Sequence, residues 1–281
     1  MSVGVFFAIL GAAILHAIWN ALVKVSADRL SLMAIFNAGT FLIALAFVPF
    51  VDIPPAVAWP HILASTFIHT GYFLFLILSY RYGDLSHVYP LSRGTAPLIV
   101  ALLAFIFIGE ALSGQALLAV FLISMGIMSM VLIKGAEGVR QPKAIAAALA
   151  TAGFIACYTM IDGTGARLST SASSYILWLN IFNGLPIIVI ALIARRGQIR
   201  SQFGKLWKAG FLSGGVSLLA YWIVLWAATQ APLAMVAAVR ETSMVFAILF
   251  GVFFLKERLD LRRLFSAFVT LSGTVLLKFS R

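Results

Sequence analysis

Ten apolar runs follow one another along the 281 residues, most separated by only a few polar or turn-forming residues. They cover roughly 3–23, 32–51, 61–80, 87–108, 114–133, 144–162, 173–194, 209–228, 233–254 and 263–278. A helix needs about 20 mainly apolar residues to cross the hydrocarbon core of a bilayer. Gaps such as Ser26-Ala-Asp-Arg29, Asp52-Ile-Pro-Pro55 and Gln230-Ala-Pro232 are so short that adjacent spans must run antiparallel. Only 10% of the residues are charged and 62% are hydrophobic, which leaves too little polar surface for a soluble fold. The N-terminus lacks the basic region of a signal peptide, and its apolar run exceeds signal-peptide length, so the first run reads as a retained span.

Two of these runs repeat each other. Arg93 opens one and Glu110 closes it; Arg240 opens the other and Glu257 closes it, and each pair is 17 residues apart. Gly126 and Gly273 each follow their glutamate by 16 residues. The offset is 147 residues (240 − 93), although only six positions are identical between 85–113 and 232–260. The offset pairs span 4 with span 9, and the hydrophilic Lys134–Lys143 stretch divides the spans five and five. Because five is odd, the second half enters the membrane in the opposite sense. The expected fold is therefore an all-α integral membrane protein, with ten transmembrane helices as two inverted five-helix repeats around a central cavity. The repeats are expected at 1–138 and 139–281.

The net charge of +11 would suggest nucleic acid in a soluble protein; here it orients the chain. The loops after spans 1, 3, 5, 7 and 9 hold fifteen of the twenty Lys and Arg residues, the opposite side three, and Arg93 and Arg240 lie inside spans. The rule that basic loops stay cytoplasmic then places both termini outside. Arg195–Lys208, with Trp207, reads as an interfacial segment. The single cysteine, Cys157, reads as a buried thiol and excludes an internal disulfide.

Polar groups inside spans are the functional candidates, because lipid tolerates them only where they face protein or water. His16, Asn20 and Lys24 are four apart and form one stripe, with Trp19 beside it. If span 4 starts near Ser86, Arg93 lies ~10 Å deep, and if span 9 starts near Pro232, Arg240 lies ~12 Å deep from the other face. Two readings stand for each arginine: recognition of an anionic substrate group through its bidentate fork, or pairing with Glu241, Asp84 or Asp162. Pro90 and Pro97 are expected to weaken span 4 and free carbonyls near Arg93. Asp162 closes span 6 and reads more readily as the cap of an Asp-Gly-Thr-Gly turn than as a proton carrier. Tyr158 reads as the counterpart of Trp19 in the second half, and His69, Tyr72, Tyr80, Tyr221, Trp222 and Trp226 suit an amphipathic wall. Gly210 and Gly214 form a close-packing face, and Glu110 and Glu257 suit end-capping at membrane-boundary turns. The expected substrate contacts are His16, Trp19, Asn20, Tyr89, Arg93, Tyr158, Tyr221, Trp222 and Arg240. Proton-coupling candidates are His16, Asp162 and Glu241.

Metalloprotease, P-loop and dinucleotide-binding motifs are absent from the sequence, and the four histidines lack ligand spacing, so no enzyme, cofactor or metal is expected. The chain resembles the drug/metabolite transporter superfamily, EamA type. The resemblance rests on His16-Ala-Ile-Trp19-Asn20, on the Gly109-Glu110-Ala-Leu112 and Lys256-Glu257-Arg-Leu259 turns, and on the five-plus-five plan. It implies a cavity formed by spans 1, 3, 4, 6, 8 and 9, and export or exchange of small metabolites, often amino acids, by alternating access. It also implies cytoplasmic termini in many members, against the orientation read from the loop charges. The expected setting is a bacterial inner membrane. The expected partners are a small-molecule substrate, membrane lipids and protons, without nucleic acid, and a monomer suffices. The alternative is a lipid flippase or scramblase.

Overall fold

The computed structural model describes residues 1–24, 29–82, 85–131, 142–195, 199–255 and 261–280. The readings on Asp84, on residues 134–141 with the repeat boundary, on the Lys256-Glu257 turn, and on the side chains of Lys24 and Tyr80 lie outside the described residues. Every longer element among the described residues is helical. In chain order these are α1 (Val3–Lys24), α2 (Arg29–Phe47), α3 (Trp59–Tyr82), α4 (Leu85–Ile108), α5 (Gly114–Ser129), α6 (Pro142–Leu168), α7 (Ala172–Asn183), α8 (Leu185–Ala194), α9 (Ile199–Ala228), α10 (Leu233–Arg240), α11 (Ser243–Leu255) and α12 (Leu261–Phe279). Taking α7 with α8 and α10 with α11, they make the ten expected spans. Among the described residues, eight spans are long and apolar enough by length and composition to cross a membrane. The others are the 16-residue α5 and the more charged α12, which carries Arg262, Arg263 and Lys278.

Three readings of local structure are corrected. The Asp-Gly-Thr-Gly stretch forms no turn: α6 continues through it to Leu168, leaving Asp162 inside the helix and fully buried. Residues 199–208 form the first turns of the 30-residue α9, with Trp207 43% exposed, so the helix of span 8 begins ten residues before the apolar run at 209–228. Straight-chain and basic residues lose little rotamer freedom in a helix, which allows it to run past the apolar limit. Span 4 is not interrupted at its prolines: α4 passes through both. Hydroxyls of Ser92 and Thr95 donate to the carbonyls of Tyr89 and Leu91, at 3.0 and 2.8 Å, within the proline-weakened stretch. The break falls in span 9 instead. There Glu241 and Thr242 separate α10 from α11, and successive N–H groups reach back three residues, from Glu241 to Ala238 and from Thr242 to Val239.

The chain forms two compact units, each drawing on both sequence halves. The first comprises residues 1–13, 71–160 and 230–281; the second comprises 14–70 and 161–229.

In the first unit α5 packs against α12 and α4, and α10 packs against α4. α12 is arranged for lipid. Ser266, Thr270, Gly273, Thr274 and Leu277 are buried at three- and four-residue spacing, while Leu264, Phe265, Phe268 and Val275 are exposed. The crossing of α5 and α12 has the symmetry of the repeat. A Cβ on Gly126 would meet the backbone of Thr270, and one on Gly273 would meet the backbone of Ile123. Position 270 is 147 residues beyond 123, as 273 is beyond 126, so the two contacts are one contact seen from either copy. α10 is buried at all eight of its residues. Its entry is capped from α4: Gly109, with φ +68°, turns the chain after that helix, and Glu110 Oε2 accepts the N–H of Leu233 at 2.8 Å. A carboxylate there meets the positive end of the α10 dipole.

In the second unit α2 packs along α9 and against α7 and α8. Gly210 and Gly214 let α9 approach α2: a Cβ on either would strike Ile35 or the carbonyl of Phe36. The core holds Ile62, Tyr175, Ile176, Leu177, Leu179, Leu218 and Leu225. Trp59 closes it edge-on to Trp178, with ring centroids 5.3 Å apart.

Candidate functional site

Each unit contains a polar centre. In the first, α4 supplies Arg93 and span 9 supplies Arg240 and Glu241. The last turn of α10 places Arg240, and the break after it turns Glu241 onto both guanidinium groups. Arg93 Nε lies 2.7 Å from Glu241 Oε2, and Arg240 Nη2 donates to Glu241 Oε1 at 3.3 Å. All three are buried, with exposures of 2%, 3% and 0% for Arg93, Arg240 and Glu241. Tyrosines form the surroundings. The Arg93 guanidinium lies 5.8 Å from the Tyr89 ring, and that of Arg240 lies 6.0 Å from the Tyr158 ring. Tyr72 meets Tyr158 edge-on at 5.7 Å. Cations over aromatic faces gain electrostatic stabilisation where water is excluded.

The arginines are related by the repeat, but their counter-ion is not. The position equivalent to Glu241 is Gly94, 147 residues earlier. Gly94 sits where a Cβ would meet Met128 and the carbonyl of Ser124, so a side chain there would collide with α5. Two matched cations therefore share one carboxylate. Of the three pairing partners read from the sequence, Glu241 is the one that both arginines reach. Asp162 is engaged elsewhere, and Asp84 lies outside the described residues.

The second unit holds Asp162. Its Oδ1 accepts the phenol of Tyr175 at 3.0 Å, and its Oδ2 accepts the phenol of Tyr221. Nδ1 of His69 is 4.0 Å from Oδ2 of Asp162 and 3.0 Å from Oγ of Ser65. The His69 ring lies edge-on to Tyr221. Trp222 Nε1 donates to Ser173 Oγ at 3.1 Å.

The span 1 group also lies in the second unit, half-buried and bonded largely within its own helix. Trp19 Nε1 donates to His16 Nδ1 at 3.1 Å, and Asn20 Nδ2 donates to the carbonyl of His16 at 2.7 Å. Trp19 also packs on Phe36 of α2. The structure thus brings Tyr89, Arg93, Tyr158, Arg240 and Glu241 together in one unit. It brings Asp162 and Tyr221 together in the other, with Trp222 on the same helix as Tyr221. The sequence reading missed Tyr175 and Ser65, and it named His69 only as a wall residue. The four-residue spacing of Ser65 and His69 on one helix face was the available signal.

The EamA-like transporter family matches residues 2–132 and 142–279. An uncharacterized transporter of Archaeoglobus fulgidus is 25% identical over 211 residues, which span 72% of this chain and 73% of that relative. One crystal structure of a protein aligns with a TM-score of 0.77, covering 98% of both chains at 13% identity, a likeness that bears on the fold alone.

Proposed function

Because the chain belongs to the EamA-like transporter family and is a membrane transporter, we propose that it is a secondary transporter of small organic metabolites carrying an anionic or zwitterionic group. It works by alternating access as an exporter or exchanger, and protons serve as its coupling ion. The observation that carries the reading is the sharing of Glu241 between Arg93 and Arg240. Among the described residues, one buried carboxylate serves two guanidinium groups related by the repeat. A carboxylate or phosphate of the substrate suits the geometry of the guanidinium fork. Glu241 then acts as the internal anion, holding the arginines in place between turnovers, and the rings of Tyr72, Tyr89 and Tyr158 supply a wall for the rest of the substrate.

The test is uptake into liposomes by purified protein, screened over amino acids, organic acids, amines and phosphorylated metabolites, with a labelled-phospholipid arm for the lipid-flipping alternative. Arg93→Lys and Arg240→Lys are each expected to lower transport of the identified substrate at least about tenfold, equivalent to ~1.4 kcal/mol. Both should still yield folded protein in the membrane, since lysine keeps the charge opposite Glu241 but lacks the fork. Unchanged transport by both variants would overturn anion recognition by this pair.

The setting of this reading is a bacterial inner membrane, and the loop charges support both termini outside. In a Cys157→Ala background, a membrane-impermeant maleimide is expected to label Ser2→Cys in intact cells, and Lys205→Cys only after permeabilisation. The opposite pattern sinks the orientation.

A further inference from the structure

The Arg93–Glu241–Arg240 centre leaves Asp162 unused, although it is fully buried inside a span. Its surroundings come from four helices. α6 carries the carboxylate, α7 and α9 each donate a phenol to it, and α3 presents His69 and the Ser65 hydroxyl. Among the described residues, His69 is the ionisable base within ion-pair distance of Asp162. Arg167, further along α6, directs its Nε to the carbonyl of Ala228 at 2.8 Å. Among the described residues, the carboxylate therefore faces the hydroxyls of Tyr175, Tyr221 and Ser65 and the imidazole of His69.

We propose that Asp162 and His69 form a proton-binding site, with Tyr175 and Tyr221 as positioning residues. The ligand is H⁺, and the step is balanced by proton movement alone. A proton entering the site is held on Asp162 Oδ2, which faces His69 Nδ1 at 4.0 Å, and leaves to water on the other side of the membrane. Hydrogen bonding supplies the coupling to structure. The ionised carboxylate accepts from both phenols. With the proton on Oδ2, that oxygen becomes a donor, and the Tyr221 hydroxyl must turn to accept from it or let go. Loading thus changes what holds α9 to α6. The proposal rests on the transport reading only for the use made of the proton; the binding site needs no substrate.

Infrared difference spectroscopy of the substrate-free protein in liposomes, between alkaline and acid pH, tests it. A protonated-carboxyl band is expected on acidification. It should shift with carboxyl-labelled aspartate, disappear in Asp162→Asn and persist in Glu241→Gln. The label makes the test possible in the unmutated protein should Asp162→Asn fail to fold. Absence of an aspartate band at any pH, or the same band in folded Asp162→Asn, would overturn the proposal. A purely structural network would leave the carboxyl titration silent. Anion recognition is read from transport by the arginine variants, so either proposal can fail while the other stands.

Discussion

Glu241→Ala is expected to destabilise the folded protein by about 3–5 kcal/mol, the range for removing one partner of a buried ion pair. Arg93 and Arg240 would stay buried, with both charges retained and their shared counter-ion gone. Deprotonation is no escape for guanidinium, which stays charged in proteins. The tyrosine rings over each arginine compensate only in part, at about 0.5–2 kcal/mol per contact. The readout is the melting midpoint and the monodisperse fraction of purified protein in micelles. A companion variant separates stability from function. Arg93→Met, Arg240→Met and Glu241→Leu together remove all three charges and are expected to restore stability to near that of the unmutated protein, because a buried charge cluster replaced by well-packed apolar groups is often neutral or stabilising. The same triple variant should not transport. If Glu241→Ala melts with the unmutated protein, Glu241 is not the counter-ion that the geometry describes.

The second large effect is steric. Gly126→Ala and Gly273→Ala should each reduce the yield of folded protein sharply, and together abolish it. A Cβ at Gly126 would lie 2.7 Å from the Thr270 backbone nitrogen, and one at Gly273 would lie 2.9 Å from that of Ile123. Backbone atoms cannot swing aside as a flexible side chain can, so α5 and α12 must separate. Overpacking of a tight core costs about 1–3 kcal/mol per site, and more where the backbone must move. The separation would also stretch the bond from the Ser266 hydroxyl to the Gly126 carbonyl across that crossing. Gly11→Ala is the control, since nothing lies within 4 Å of a Cβ there and alanine favours helix over glycine. Comparable melting of all three variants would show that the crossing tolerates a methyl group.

Much of this architecture is legible in the residues. The runs of apolar side chains locate the ten spans to within a few residues at most ends, because the cost of placing a segment in lipid is a sum over its own side chains. The 147-residue offset reappears in the α5–α12 crossing, where Gly126 meets Thr270 and Gly273 meets Ile123. The reading of α9 failed on ends: hydropathy reports where lipid stops, whereas hydrogen bonding decides where a helix stops. Asp-Gly-Thr-Gly misled for a related reason. Turn residues mark a turn when the backbone is exposed to water, but inside a packed span the helical hydrogen bonds are the available partners for those backbone groups.

The candidate centres divide along the same line. Which side chains are too polar for lipid is written in the chain: Arg93, Arg240, Glu241, Asp162, Tyr89, Tyr158 and Tyr221 need no structure to be noticed. Their partners are another matter, because spans far apart in sequence meet by packing. Three positions were open to the arginines on paper. The break between α10 and α11, together with the absence of any side chain at Gly94, made Glu241 the shared anion. For Asp162, the partners are His69, Tyr175 and Tyr221, carried on three other helices. By itself, then, the sequence determined the number of spans, the duplication and the list of costly groups, all properties of residue type and spacing. Only the tertiary structure decided which charges neutralise one another, because that depends on which helix faces approach within a few ångströms.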